Sequence, residues 1–84
     1  MVTILYFAWL REHTGCAREE VMINDDIQTV ADIVSYLKKQ SDGHAKALGD
    51  METVRVAVNR SYGSVETKIT AGDEIAFFPP VTGG

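Results

Sequence analysis

Residues 72–84 read GDEIAFFPPVTGG, and the order of residue types in this stretch sets the terms for the rest of the chain. Gly72-Asp73 is a turn signal, Glu74 to Phe78 alternates as a short apolar strand, and Pro79-Pro80 ends ladder pairing because proline has no N–H to donate. Ile75 and Phe77 point to one face of that strand, Ala76 and Phe78 to the other. Val81-Thr82-Gly83-Gly84 then makes a slender tail whose terminal carboxylate has no side chain beside it. The paired prolines are an extended, stiff spacer that projects this tail at low entropic cost. A frayed terminus accounts for two glycines, but not for the apolar strand and prolines directly before them. The expectation is that the Gly84 carboxylate is itself the functional group.

Such a strand needs partners. From Val2 to Leu10 the pattern reads as one strand, with Val2, Ile4, Tyr6, Ala8 and Leu10 on one face and Thr3, Leu5, Phe7 and Trp9 on the other. Both faces are largely apolar, which suits a strand covered on both sides or one with a face reserved for another chain. The short chain favours the second. Arg11 to Ala17, polar and containing Gly15, reads as a hairpin turn that returns through a second strand, Arg18 to Ile23.

Thr29 then offers an N-cap hydroxyl, Asp32 an acid in the first turn, and Val30, Ile33, Val34 and Leu37 an apolar stripe at helical spacing. One amphipathic helix over Val30 to Gln40 follows, stopped by Ser41-Asp42-Gly43. His44 to Leu48 allows one further helical turn. Val54, Val56 and Val58 alternate as a third strand, Asn59 to Gly63 is turn-rich, and Val65 to Ile69 reads as a short edge strand. Two hairpin strands, a crossing helix and later strands predict an α+β, ubiquitin-like β-grasp: a mixed sheet of about five strands with one main helix packed across it. The helix should cover Ile4, Tyr6, Val56, Val58, Ile75 and Phe77, leaving Leu5, Phe7, Trp9, Ala57 and Phe78 uncovered. Residues 1–84 are expected to be a single domain, with 79–84 as its extended tail.

Composition narrows the functional classes. The chain has 84 residues and a net charge of −4, which leaves no room for a second domain and opposes binding to nucleic acid. Lys38, Lys39 and Lys46 do not cluster with exposed aromatics as a nucleic-acid surface would. No apolar run approaches a membrane span of roughly 20 residues, and the apolar N-terminus lacks the pattern of a signal peptide. A cytoplasmic protein is expected.

No side-chain constellation for catalysis is legible. His13 and His44 lie far apart on polar stretches and read as solvent-facing. Cys16 is the only cysteine, so an internal disulfide is excluded and a zinc site lacks companions. Arg11 and Arg18 flank it, a setting that lowers a thiol's pKa, yet a thiol without a base or resolving partner reads as incidental. Asp25-Asp26 and Asp50-Met51-Glu52 read as solvated turn acids rather than a cation site. No metal site is expected. What remains is the tail. A carboxylate is activated by adenylation, and the acyl-adenylate must be kept from water; only a chain without Cβ atoms threads a tunnel narrow enough to do so.

The tail GDEIAFFPPVTGG, the opening strand and the Leu10-Arg11-Glu12 segment after it resemble the molybdopterin synthase small subunits, a family of ubiquitin-like sulfur carriers. That resemblance implies that Gly84, preceded by Gly83, is adenylated by a ubiquitin-activating-type adenylyltransferase using ATP and magnesium, with no cofactor bound permanently. A sulfurtransferase then acts as sulfur donor and the carboxylate becomes a thiocarboxylate. It also implies insertion of the tail into the large subunit of molybdopterin synthase, in a heterotetramer. There the sulfur converts cyclic pyranopterin monophosphate to molybdopterin. The chain would then be no enzyme alone, but the sulfur-donating subunit of a sulfurtransferase complex.

For the partner surface, Phe7, Tyr62 and Phe78 are the aromatics of the uncovered face, continued by Pro79, Pro80, Val81 and Thr82. Arg11 is either a contact to an acidic patch or hairpin surface. Three other readings stay open: a sulfur carrier for thiamin or tRNA thiolation, a protein modifier conjugated to lysines through Gly84, and a β-grasp binding module with an idle tail.

Overall fold

The computed structural model describes residues 1–80. Its elements are β1 (Val2–Tyr6), α1 (Trp9–Thr14), β2 (Arg18–Val21), α2 (Val30–Lys38), α3 (Asp42–Leu48), a 3-10 turn (Met51–Thr53), β3 (Arg55–Val58), β4 (Ser61–Tyr62) and β5 (Glu74–Phe78). The five strands form one mixed sheet in the order β2-β1-β5-β3-β4. β1 and β5 run parallel, and the other neighbours are antiparallel. This is the α+β β-grasp arrangement that the element order predicts.

The strand formed by the quoted stretch lies at the centre of the sheet. Gly72 takes φ 92, a backbone region that a Cβ disfavours, and the turn closes through Asp73 N–H donating to Thr70 O at 3.1 Å. β5 then pairs with β1 through Ile4↔Ile75 and Tyr6↔Phe77, and with β3 through Val56↔Phe77 and Val58↔Ile75. Ile4, Ile75 and Phe77 are fully buried, and Val2, Tyr6 and Val56 nearly so.

α2 supplies the cover. Thr29 accepts from Asp32 N–H, while the Asp32 carboxylate accepts from Gln28 and Thr29 N–H, a capping box that satisfies the first orphan donors of the helix. Its stripe Val30, Ile33, Val34 and Leu37 is buried in the same core as the sheet. Each such side chain contributes about 1.5–3 kcal/mol.

Four expectations are corrected. The first strand ends at Tyr6 rather than Leu10, because its parallel partner runs out: Phe7 N–H donates to Phe77 O at 3.1 Å, and Pro79-Pro80 offers no further ladder. The chain turns at Ala8, φ 56, and enters α1 where a hairpin turn was expected. The helix drops Leu10 fully into the core and ends on Gly15 in the left-handed region, whose N–H donates to Arg11 O. Trp9 packs against the core edge, with its ring 5.9 Å from His13, and is no part of the open sheet face.

The second correction concerns Asn59 to Gly63. Asn59 and Arg60, φ 53 and 70, form a two-residue turn of the primed kind, and Ser61–Tyr62 is an edge strand. Third, Val65 to Ile69 makes no ladder strand: an isolated bridge joins Thr29 and Lys68, and Ile69 N–H donates to Gln28 O. Finally, the segment at His44 is a seven-residue helix beginning at Asp42. Ser41, expected only to stop the preceding helix, is its N-cap.

Candidate functional site

Because β1 and β5 are parallel, Phe7, Phe78 and Pro79 leave the sheet at the same end. The side of the sheet away from α2 carries a cross-strand row, Leu5↔Ala76↔Ala57↔Tyr62. The small side chains Ala76 and Ala57 leave its centre shallow. Phe78, one pleat further along β5 and opposite Arg55, is half-buried. Its ring lies 5.9 Å from that of Tyr62, which is 79% exposed. Phe7 is 47% exposed where β1 ends. Phe7, Tyr62 and Phe78 therefore share the uncovered face with Leu5 and Ala57, and they border the point where Pro79 and Pro80, both half-buried, begin the tail.

Arg11 lies exposed on α1, which starts immediately beyond Phe7. Val81, Thr82, Gly83 and Gly84, the tail expected to carry the chemistry, lie outside the described residues.

A second cluster was missed by sequence reasoning. His44 is buried, not solvent-facing. Its Nε2 lies 2.7 Å from Glu19 Oε2 and its Nδ1 2.7 Å from Ser41 Oγ. The Tyr6 hydroxyl donates to the same Glu19 oxygen at 2.7 Å, and the Cys16 thiol approaches it at 3.8 Å. The only sequence signal was Ser41 three residues before His44, which marks a helix N-cap and so a fixed ring. Cys16 also departs from expectation. Its thiol pKa is pushed up chiefly by burial; the hydrogen bond with Thr14 offsets part of that rise, and the Glu19 carboxylate adds to it. Arg11 and Arg18 leave it without the reactivity of a lowered thiol. Burial and the Glu19 carboxylate likewise push the Tyr6 hydroxyl far up, so it serves as a hydrogen-bond donor. Among the described residues no helix is long and apolar enough to cross a membrane.

A β-grasp sheet with an open aromatic face beside the root of a Gly-Gly tail defines the class of small ubiquitin-like proteins. Within that class the chain belongs to the ThiS family, whose model matches residues 4–84. It is 43% identical to the molybdopterin synthase sulfur carrier subunit of Escherichia coli K12 over 84 residues, which is all of both chains. It is 38% identical to the protein of that name from Haemophilus influenzae, again over the full length of both. Among solved structures, it is similar to the putative molybdopterin converting factor subunit 1 of Pyrococcus furiosus. There the TM-score is 0.78 at 31% identity, with 95% of this chain and 97% of that one covered.

Proposed function

We propose that this chain is the sulfur-carrying small subunit of a molybdopterin synthase and acts in the cytoplasm. The observation that carries the reading is the end-to-end similarity to relatives bearing that name. It is supported by an aromatic surface at the root of the tail that a larger subunit would cover.

In this reading the domain supplies placement and the tail supplies chemistry. A Gly84 carboxylate oxygen attacks the α-phosphate of ATP, held with magnesium by a ubiquitin-activating-type adenylyltransferase, and pyrophosphate leaves. A persulfide from a sulfurtransferase displaces AMP, and reductive cleavage of the resulting acyl disulfide by a thiol leaves the thiocarboxylate. Gly83 and Gly84 present no Cβ to the walls that exclude water from the adenylate. Docking on the large subunit through Phe7, Tyr62 and Phe78 then directs Pro79, Pro80, Val81 and Thr82 into its active site. There the sulfur passes to cyclic pyranopterin monophosphate, and two such transfers complete the dithiolene of molybdopterin. Arg11, exposed beside this end of the sheet, is assigned to the rim of the same contact.

The test is the intact mass of the chain after incubation with its adenylyltransferase, ATP and a sulfur donor. A gain equal to the difference between sulfur and oxygen, lost on deleting Gly84, is expected, as is conversion of cyclic pyranopterin monophosphate once the large subunit is added. An unchanged mass overturns the carrier reading. A thiocarboxylated chain that fails to convert the pterin overturns the pathway, and adducts on lysines of other proteins would instead indicate a modifier.

A further inference from the structure

Cys16, Glu19 and His44 come from three separate pieces of chain: the loop after α1, the second residue of β2 and the first turn of α3. Their ligand atoms all lie within 4.8 Å of one another. Glu19 Oε2 is 2.7 Å from His44 Nε2 and 3.8 Å from Cys16 Sγ. Around a tetrahedral zinc ion, with bonds of about 2.0–2.3 Å, ligand atoms stand roughly 3.3–3.7 Å apart. A small separation of the carboxylate from the imidazole therefore admits an ion.

The surroundings hold the ligands for that role. Ser41 Oγ accepts from the His44 backbone N–H at 3.0 Å as the cap of α3. That fixed oxygen sits 2.7 Å from Nδ1, and a proton on Nδ1 directed at it turns the Nε2 lone pair into the cluster. From the core side, the Tyr6 hydroxyl donates to the Glu19 carboxylate, the kind of outer hydrogen bond that orients a metal-ligating carboxylate. The Glu19 side chain is 27% exposed and Cys16 half-buried, so a water has access to a fourth position.

We propose that Cys16, Glu19 and His44 form a binding site for a thiophilic divalent cation of the zinc type, completed by one water. A thiolate and an imidazole select such a cation over magnesium or calcium, which prefer all-oxygen sites. Binding moves no electrons: the thiol proton, and the Nε2 proton where present, leave to solvent as the ion takes their place. Without the ion the same atoms hydrogen-bond to one another, so the fold does not depend on occupancy. The bound ion cross-links the start of α3 to β2, on the helix side of the sheet and away from the aromatic face.

The probe is Co²⁺ added to the untagged full-length chain, followed by absorbance and then displaced with Zn²⁺. The expected result is one ion per chain with the visible bands of a tetrahedral site and a thiolate-to-cobalt charge-transfer band. Cys16→Ser should abolish that band and weaken binding by about tenfold or more, while Ser41→Ala keeps the band and weakens binding by about tenfold. No band in the wild-type chain, or equal affinity in Cys16→Ser, overturns the site; the second outcome would place the ion on other side chains such as His13. The unsubstituted chain gives a check that does not depend on how the variants fold. Zn²⁺ should slow alkylation of Cys16 by iodoacetamide at least about tenfold, and an unchanged rate overturns the proposal.

Discussion

The ring of Phe78 lies 5.9 Å from that of Tyr62, tilted by 55°, on the sheet face that α2 does not cover. The pair joins the central strand β5 to the edge strand β4 where the tail begins. Aromatic side chains arranged this way are typical anchors of a protein interface. Phe78→Ala is expected to weaken binding to a molybdopterin synthase large subunit by about 2 kcal/mol, roughly thirtyfold. It should cost the isolated domain less than that. Calorimetric titration and denaturant unfolding separate the two, and a larger loss of stability than of affinity would make Phe78 a core residue instead.

The tail prediction is independent of the surface. Gly83→Val should leave the thermal midpoint of the domain unchanged, since position 83 follows in sequence the last strand, which ends at Phe78, yet suppress adenylation by about a hundredfold or more if the tail threads a closed channel. Pyrophosphate release in the presence of the adenylyltransferase measures it. Adenylation at the wild-type rate would remove the steric role of that glycine.

Gly43 lies where α3 meets α1. A Cβ there would fall well inside contact distance of the His13 carbonyl oxygen, which is backbone and cannot rotate away. Gly43→Ala is therefore expected to destabilise the domain by about 1–3 kcal/mol, read from urea unfolding. A neutral result would mean that the two helices separate without cost.

Arg60 occupies the second position of the Asn59-Arg60 turn at φ 70, where glycine is preferred. Its neighbour Asn59 is already well used, since the side chain donates to Asp73 and accepts from Glu74 N–H. Arg60→Gly should stabilise the hairpin by a few tenths to about 1 kcal/mol, relief of the left-handed backbone outweighing the added entropy of the unfolded chain. A lowered unfolding midpoint would contradict this.

Asp32 gives the domain a defined acid response. Backbone N–H donation from Gln28, then from Thr29, holds its carboxyl below the ordinary value. A depressed folded-state pKa means that the stabilisation is present above the unfolded value near 3.9, and is lost as pH falls through the lower folded value. Asp32→Asn should flatten that part of the stability profile between about pH 5 and the acid limit. Unfolding midpoints measured across this window test it, and an unchanged slope would show that the capping box does not sense pH.

Much of this protein is set locally. β5, α2 and β3 follow from alternation, an N-cap threonine and a 3.6-residue stripe, all contained within a few neighbouring residues. The Gly72-Asp73 turn and the proline stop after Phe78 are equally local, and they place the root of the tail. The identity of the open face was legible as well, because the strand period assigns Leu5, Ala57 and Phe78 to the side opposite the helix stripe.

What only the tertiary structure decided depends on partners distant in sequence. The Val2 to Leu10 pattern is compatible with a long strand, and it ends at Tyr6 because β5, about seventy residues later, reaches its prolines; the ladder has no donor beyond that point. His44 reads as a polar surface residue until Glu19, 25 positions away, is brought against it and supplies the hydrogen bond that burial requires. Cys16 gains companions by the same folding event. Local periodicity thus determined the strands, the main helix and the exit of the tail, while the cluster beneath β2 exists only because packing α3 against α1 carries its side chains to one place.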